Sequence, residues 1–252
     1  MKNFFKQIPG VIWLYRLLMT IKNYCLFVYS YIKFKKQTKD NRFKISWLDK
    51  KIILNENTPH TDFDRHYIYH PAWAARILAK TKPKEHIDIS STLSFCSIIS
   101  AFIPTKFYDY RPAGLNLDNL VEDKADLVRL PFADNSISSL SCMHTVEHIG
   151  LGRYGDNIDP NADLKTLSEL ERVLAFGGNM LLVVPIGKPR IQFNAHRIYS
   201  YEQIIASLPK LKLQEFCLIP DDKQDGGIIK NPEQEIIKTQ KYGCGCFWLT
   251  KI

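Results

Sequence analysis

The chain has 252 residues, of which 45% are hydrophobic and 24% are charged. This composition fits one large or two small globular domains and excludes a wholly disordered chain, a collagen-like repeat and a protein with many membrane spans. Residues 1–51 hold 12 Lys and Arg against 2 acidic residues, so they carry +10, and the remaining 201 residues carry −2. We therefore predict a basic arm over residues 1–51 and a nearly neutral main domain over residues 52–252, which argues against nucleic acid as a partner.

The six cysteines contain no CxxC pair, and four of them lie in apolar runs, where cysteine acts as a small buried hydrophobic residue. They are Cys25, Cys96, Cys142, Cys217, Cys244 and Cys246. A disulfide scaffold does not fit this length and cysteine density, so we predict a reducing compartment, the cytoplasm.

Residues 8–34 form the most apolar stretch of the chain. Arg16 interrupts the apolar run that a signal peptide needs, and Lys22 would lie near the centre of a spanning helix at a cost of about 2.5–3.5 kcal/mol. A helix over residues 8–36 that lies in the plane of the cytoplasmic membrane surface, followed by a basic run, fits this pattern. A helix packed on the main domain or on a partner chain fits it too, and a true membrane span is the third alternative.

Strands and helices alternate along the main domain. Apolar residues at helical spacing predict helices at 70–82, 163–176 and 201–208, the second of them stopped by a glycine pair at 177–178. Short apolar or alternating runs predict seven strands, at 85–90, 106–110, 125–132, 136–144, 179–187, 211–219 and 244–252. This order predicts an α/β domain with a doubly wound, mostly parallel seven-stranded sheet, in which ligands bind beyond the carboxyl ends of the strands.

Three acids, Asp88, Asp109 and Asp126, lie at or near predicted strand ends. Asp109 comes 21 residues after Asp88, where nucleotide-binding folds place the acid that accepts hydrogen bonds from a ribose diol. The first loop, residues 88–94, has no glycine, although nucleotide folds use glycine there for close approach and positive φ. Three unrelated, solvated acids are the alternative interpretation.

Two longer segments, ADLVRLPFADNSISSLSCMHTVEHI and LSELERVLAFGGNMLLVVPIG, resemble the class I S-adenosylmethionine-dependent methyltransferases. An acid with LPF, a strand, an EH pair, a helix with its GG end and a strand ending in VP occur in the same order, over about residues 84–187. The resemblance implies a Rossmann-like fold with S-adenosyl-L-methionine (SAM) as cofactor. The implied cofactor-binding residues are Asp88 and Ser90 in the first loop, Asp109 at the ribose, and Asp126 with Leu127 at the adenine.

A narrower resemblance covers roughly residues 60–252. The segments HTVEHIGLGRYGDNIDPN (144–161) and VPIGKPRIQFNAHRIYS (184–200), with the terminal GCGCFWLTK, look like the methyltransferase-like family called domain of unknown function 268 (DUF268). The activity of that family is not established, so the resemblance indicates the fold better than the reaction. The family pattern has a glycine two residues after the first-strand acid, where this chain has Ser90.

His144, Glu147 and His148 lie where the predicted fourth strand ends, and His196 follows the fifth. An imidazole or carboxylate at this edge can remove a proton from an acceptor hydroxyl, so these four are the candidate catalytic residues. Alternatively, Glu147 and His148 brace the loop. The H-x-x-E-H pattern also matches a zinc-protease motif, but that motif needs a helix and this one follows a strand.

Residues 150–161 predict either a loop that contacts a polar substrate or a structural Ω loop. The candidate substrate-binding residues are Arg153, Tyr154, Asp156 and Asp159 in this loop, with Asn194 and Arg197 after the fifth strand. Arg197 could instead pair with Asp156 or Asp159 and pin the loop.

We predict no metal site. His144, His148 and His196 lack the spacing of a ligand set. Cys244 and Cys246 lie two apart in a predicted strand and therefore point to one side, where they cannot enclose a zinc ion by themselves.

We expect a SAM-dependent methyltransferase that acts on a small polar acceptor, such as a sugar or glycan precursor, mainly by positioning the reactants. The alternative is a non-catalytic binding or scaffold protein of the same fold, which the glycine-free first loop favours. A different transferase or a metal-assisted hydrolase in the same cleft is the third hypothesis.

Overall fold

The computed structural model describes residues 9–40 and 42–252. The chain divides into two compact units, Met1–Phe63 and Asp64–Ile252. The division lies twelve residues beyond the predicted boundary between arm and main domain. The parts of the predicted arm at residues 1–8 and 41 lie outside the described residues.

The first unit contains one long helix, α1 (Pro9–Gln37), and most of its described side chains are exposed. The indole ring of Trp47 contacts the rings of Phe27 and Tyr31, with centroids 6.2 and 4.9 Å apart. By length and composition alone, α1 could cross a membrane, a test that signal sequences and buried core helices also pass.

The second unit is built on a sheet whose strands are β1 (His86–Ile89), β2 (Thr105–Asp109), β3 (Leu120–Lys124), β4 (Ile137–Met143), β5 (Leu174–Ile186), β8 (Leu211–Ile219), β9 (Ile229–Lys230) and β10 (Gly243–Lys251). Their order is β3-β2-β1-β4-β5-β10-β8-β9. Strands β1 to β5 pair in parallel, and β10 runs antiparallel between β5 and β8. The doubly wound, mostly parallel sheet is confirmed, with the two-residue β9 as an unpredicted edge strand. A separate hairpin is formed by β6 (Arg190–Gln192) and β7 (His196–Ile198).

Helices cover both faces of this sheet. They are α2 (Arg65–Thr81), α3 (Leu93–Ile99), α4 (Ala162–Val173), α5 (Tyr201–Ala206) and α6 (Gln234–Thr239). Leu182 of β5 packs in a core cluster with Leu170 of α4, whereas its neighbour Val183 packs in a second cluster with Ala74 of α2 and Phe95 of α3. Adjacent strand residues point to opposite faces, so β5 is buried on both sides, as its continuous apolar run predicts.

The third strand lies at Leu120–Lys124, not at the predicted 125–132. This strand is at the edge of the sheet and only Leu120 is buried, so its residues show no apolar pattern. The apolar residues that suggested a strand, Leu127 and Leu130 among them, belong to a loop and are buried in the core cluster beneath it.

The predicted helix end at the glycine pair is also wrong. Helix α4 stops at Val173, and Leu174 is already extended and begins β5. Gly177 has φ of +72° inside β5, where the pairing with β4 shifts register just after Ile137. A Cβ on Gly178 would lie 3.0 Å from the Ile137 carbonyl oxygen. The two glycines therefore allow an irregularity within β5 and do not cap the helix.

Helix α2 begins five residues earlier than predicted. The Asp64 side chain accepts a hydrogen bond from the Tyr67 amide at 3.2 Å and caps the helix. Pro71 therefore lies inside the helix rather than in its first turn. One consequence is that His66 and His70, four residues apart, share one face of α2.

Candidate functional site

Two neighbouring cavities lie at the carboxyl edge of the sheet. The smaller, of about 190 Å³, is lined by residues that include Ser90, Asp109, His144 and His148. The larger, of about 290 Å³, is lined by residues that include Asp126, Asp156 and Asp159. Leu127 and Tyr154 line both cavities. The predicted site residues that line neither of them are Asp88, Glu147, Arg153, Asn194, His196 and Arg197.

Ser90 directly follows β1 and has φ of +54°, in the left-handed region. Its amide and hydroxyl both donate to the Tyr108 carbonyl oxygen, at 2.8 and 3.0 Å. Its own carbonyl accepts from Thr145 Oγ1 at 2.6 Å. These hydrogen bonds hold a residue other than glycine in a conformation that costs about 1–2 kcal/mol. The glycine-free loop thus adopts the backbone conformation for which nucleotide folds use glycine.

Asp88 is fully buried in the sheet and lines neither cavity, so its predicted contact with the cofactor stays a prediction. Ser141 Oγ donates to Asp88 Oδ1 at 2.9 Å and accepts from His86 Nε2 at 2.9 Å. His86 Nδ1 then accepts from the Ser139 hydroxyl at 2.8 Å. Burial raises the pKa of Asp88 to about 7 and lowers the pKa of His86 to about 3, so it favours the neutral form of both groups.

Asp109 ends β2 and Asp126 follows β3, and each lines one of the two cavities. One oxygen of each carboxylate is held by a backbone amide, that of Arg111 for Asp109 at 2.7 Å and that of Val128 for Asp126 at 3.1 Å. The other oxygen of each makes no hydrogen bond within the described residues. Each carboxylate can therefore accept hydrogen bonds from a ligand's hydroxyl or amino groups.

His144, Glu147 and His148 form a connected group after β4. Glu147 Oε1 accepts from His144 Nδ1 at 2.7 Å and lies 3.9 Å from His148 Nε2. His148 Nδ1 donates to the Ala195 carbonyl at 2.6 Å, which leaves the lone pair of the neutral ring on Nε2. The turn Val146–His148 is a single turn of 3₁₀ helix, not the α-helix that the zinc-protease motif needs.

Asp156 and Asp159, in the polar loop after β4 (residues 150–161), both have partners within the protein. Asp156 accepts from three amides of its own loop, those of Gly150 at 2.7 Å, Gly152 at 3.3 Å and Tyr154 at 3.1 Å. Asp159 pairs with Lys165 at 2.6 Å. These contacts give both carboxylates a structural role in the wall of the larger cavity.

Arg197 is buried, with 4% of its surface exposed, and its guanidinium holds the two ends of this loop. Nη1 donates to the Ile149 carbonyl at 2.6 Å and Nη2 to the Pro160 carbonyl at 3.2 Å. Its acidic partner is Asp163 at 3.5 Å, not Asp156 or Asp159. The guanidinium of Arg197 is thus engaged inside the protein and lines neither of the two cavities, and its predicted contact with a substrate stays a prediction.

The β6–β7 hairpin carries two further predicted residues, Asn194 and His196, and contacts a third, Arg153. Asn194 is exposed in its turn. His196 Nε2 donates to Gln192 Oε1 at 2.6 Å, and burial lowers the pKa of His196. Arg153 Nη1 donates to the Ala195 carbonyl at 3.1 Å and so ties the polar loop to the hairpin.

Four aromatic rings stack in a row beside the smaller cavity, and two of them were missed by sequence reasoning. His66 lies between His144 and Tyr242, at centroid distances of 5.3 and 5.2 Å, and Tyr242 stacks on His196 at 4.9 Å. Burial lowers the pKa of His66 to about 4 and that of His70 well below its usual value. The four-residue spacing of His66 and His70 would place both on one face of a helix, but the predicted helix begins only at residue 70 and leaves His66 out.

Solved structures with this fold include several methyltransferases. The chain is similar to a candidate sarcosine dimethylglycine methyltransferase from Galdieria sulphuraria, with a TM-score of 0.52 and 15% identity, over 72% of this chain and 84% of that one. It is also similar to geranyl diphosphate C-methyltransferase from Streptomyces coelicolor A3(2), solved with Mg²⁺, geranyl diphosphate and S-adenosyl-L-homocysteine. That TM-score is 0.51, at 9% identity, over 72% of this chain and 78% of that one. The second unit thus has the Rossmann-like fold of class I SAM-dependent methyltransferases.

Residues 132–208 match the family model described as "Caenorhabditis protein of unknown function, DUF268". The predicted resemblance to DUF268 is confirmed over this segment, which contains the His144–Glu147–His148 group and the β6–β7 hairpin. No curated protein has significant sequence similarity to the chain.

Proposed function

We propose that the chain is a SAM-dependent methyltransferase that acts on a small polar acceptor, with a sugar or glycan-related hydroxyl as the preferred class. One observation carries the proposal. Asp109 and Asp126, each with an unpaired carboxylate oxygen, line adjoining cavities at the carboxyl edge of a methyltransferase fold. Ligands of doubly wound sheets bind at this edge.

The residues around the two cavities fit an adenosyl cofactor. Asp109 would accept hydrogen bonds from the ribose hydroxyls, and Asp126 with the buried Leu127 would flank the adenine. Ser90 shares the smaller cavity with Asp109, so the first loop would face the methionine end. When bound, SAM supplies an electrophilic methyl group on a sulfonium.

His148 is the residue that we assign as general base. It lines the smaller cavity, and the Ala195 carbonyl fixes its tautomer with the lone pair on Nε2. That nitrogen would take the proton of an acceptor hydroxyl, and Glu147, 3.9 Å away, would stabilise the resulting imidazolium. His144 fits this role less well because its other nitrogen, Nε2, is buried, and His196 because it lines neither cavity.

The acceptor class rests on the polar groups of the smaller cavity. Arg111, Thr145 and Tyr154 line it and provide guanidinium and hydroxyl groups. Such groups recognise an acceptor with several hydroxyls better than an apolar one.

We further propose that the arm binds the cytoplasmic membrane surface. The support is a 29-residue helix with largely exposed apolar side chains and a basic run over residues 33–39. Apolar insertion and attraction to anionic lipids would act together in such a segment.

The experiment that tests the enzyme proposal is a calorimetric titration of the full chain with SAM. We expect saturable binding that Asp109→Ala abolishes and that Asp118→Ala, a change at an exposed acid outside both cavities, leaves intact. Absence of binding at millimolar SAM would overturn the proposal and favour the non-catalytic binding or scaffold protein.

A further inference from the structure

Three potential metal ligands from three separate elements meet beside the smaller cavity. They are His66 of α2, His144 after β4 and Cys244 of β10. One ring nitrogen of each histidine and the Cys244 sulfur all lie within 4.8 Å of one another. Cys244 is fully buried and His144 is 8% exposed, so bulk water has little access to hydrogen-bond with their ligand atoms.

The two nitrogens of His144 have different surroundings. Nδ1 donates to Glu147 Oε1 at 2.7 Å, whereas Nε2 is buried and has no hydrogen-bond partner. Buried polar atoms are nearly always paired, so an unpaired imidazole lone pair inside a cluster of ligand atoms needs an explanation. Histidines that bind metals characteristically donate their other nitrogen to a carboxylate, which fixes the ring and raises the basicity of the ligand. Glu147 occupies that position here.

His66 and His70 extend this pattern along α2. The ring of His66 stacks between those of His144 and Tyr242 and lies nearly parallel to that of His144, so it would have to rotate for both in-plane lone pairs to point at one ion. His70 lies one turn further, fully buried, with both ring nitrogens unpaired. Its ring centroid is 5.0 Å from that of His144, so it borders the cluster without being one of its three members.

We propose that His66, His144 and Cys244 bind a zinc ion. Mixed imidazole and thiolate ligands suit Zn²⁺ in a tetrahedral site. Tetrahedral zinc places its ligand atoms about 3.5 Å apart, so the three side chains would close in by roughly 1 Å. Three protein ligands leave the fourth position for water or for an oxygen of a bound molecule, as in catalytic zinc sites.

The site differs from those considered from the sequence. Cys244 and Cys246 cannot enclose zinc from one face of a strand, but α2 and the loop after β4 supply two further ligands within 4.8 Å of the Cys244 sulfur. The proposed zinc site is independent of the proposed methyl transfer. Metal binding is measured without SAM, so its outcome does not depend on whether SAM binds.

The test uses the full chain, freed of metal with a chelator and then titrated with Zn²⁺ or Co²⁺ alone. We expect about one equivalent per chain by elemental analysis, and a thiolate-to-cobalt charge-transfer band in the Co²⁺ form. Cys244→Ser should abolish the band. Cys246→Ser is the matched control, because its sulfur is 4.0 Å from that of Cys244 on the same strand face but outside the ligand set, and it should keep the band.

Two further variants guard against misfolding of a buried-cysteine variant. His66→Gln, at a partly exposed ligand, should weaken zinc binding while circular dichroism shows a folded chain. Glu147→Ala should lower zinc affinity by about 10–100-fold through loss of the carboxylate that orients His144. A folded wild-type chain without the cobalt band, or undiminished zinc affinity in folded His66→Gln, would overturn the proposal.

Discussion

The amide and the hydroxyl of Ser90 both donate to the carbonyl oxygen of Tyr108, and Ser90 is held there at φ +54°. We expect Ser90→Val to destabilise the chain by about 1–3 kcal/mol, because a β-branched side chain is strained in the left-handed region. Ser90→Gly should stay within about 1 kcal/mol of the wild type, since relief of strain offsets the lost hydroxyl hydrogen bond. Urea unfolding measures both, and equal stability of the two variants would contradict a left-handed residue 90.

Asp88 should make stability depend on pH in the direction opposite to that of most carboxylates. Its pKa is raised from 3.8 to about 7 by burial, so between these values the folded chain binds a proton that the unfolded chain has lost. Its contribution to stability is therefore fully present below pH 3.8, is lost as pH rises from 3.8 to about 7 by at most about 1.4 kcal/mol per pH unit, and does not change further above that.

Asp88→Asn isolates this effect, because an amide carbonyl can still accept from Ser141. We expect the variant to gain stability relative to the wild type from about pH 4 to pH 7 and to level off above that. Urea unfolding at several pH values, always compared with the wild type, cancels the titration of His86. A difference that does not change with pH would show that Asp88 is not buried as a neutral acid.

Whether a strand could be predicted from the sequence depends on how many of its side chains are buried. Strand β8 (Leu211–Ile219) lies at its predicted bounds, because an inner strand buries enough side chains to leave an apolar pattern. Strand β3 (Leu120–Lys124) was missed because an edge strand pairs on one side only and buries little. Leu127 led to a wrongly predicted strand because it is an apolar loop residue buried in the core, so its surroundings in the sequence look like those of a buried strand.

Some residues of the candidate site could likewise be predicted from the sequence, and others could not. Asp109 and His148 could be placed from the sequence, because parallel strands bring their carboxyl ends to one edge. The complete burial of Asp88 could not be predicted, because β1 has only four residues and an alternating pattern that short does not show that both of its faces are covered. The meeting of His66 with Cys244 depends on how α2 packs against β10, which no local spacing encodes.

Arg197 and Asp163 provide a test of a structural role against a substrate-binding role. Arg197→Met should destabilise the chain by about 3–5 kcal/mol, because it leaves the buried Asp163 carboxylate without its cation. Asp163→Asn in the same background should restore part of that loss, so the two changes should not add. Arg190→Met, at an exposed arginine of the same hairpin, is the control and should stay within about 0.5 kcal/mol. Additive effects in urea unfolding would remove the assigned pairing.

His148 tests the assignment of the general base. His148→Gln should lower the rate of methyl transfer by about 10²–10⁴-fold while SAM binding is retained, because only proton removal is lost. The measurement is transfer of a tritiated methyl group from SAM to a panel of monosaccharides and nucleoside diphosphate sugars, with His60→Gln at an exposed position of the first unit as control. Full activity of His148→Gln towards any accepted sugar would reject this base.

The arm provides the last prediction. Reversing four charges after its apolar stretch, as Lys33→Glu, Lys35→Glu, Lys36→Glu and Lys39→Glu in the full chain, should release the protein from vesicles that contain phosphatidylserine. Each lysine near an anionic surface contributes about 1 kcal/mol, and added salt should weaken wild-type binding because it screens the attraction. Sedimentation with these vesicles and with uncharged phosphatidylcholine vesicles measures the two contributions. Equal sedimentation of variant and wild type with both kinds of vesicle would reject electrostatic binding of the arm to a membrane surface.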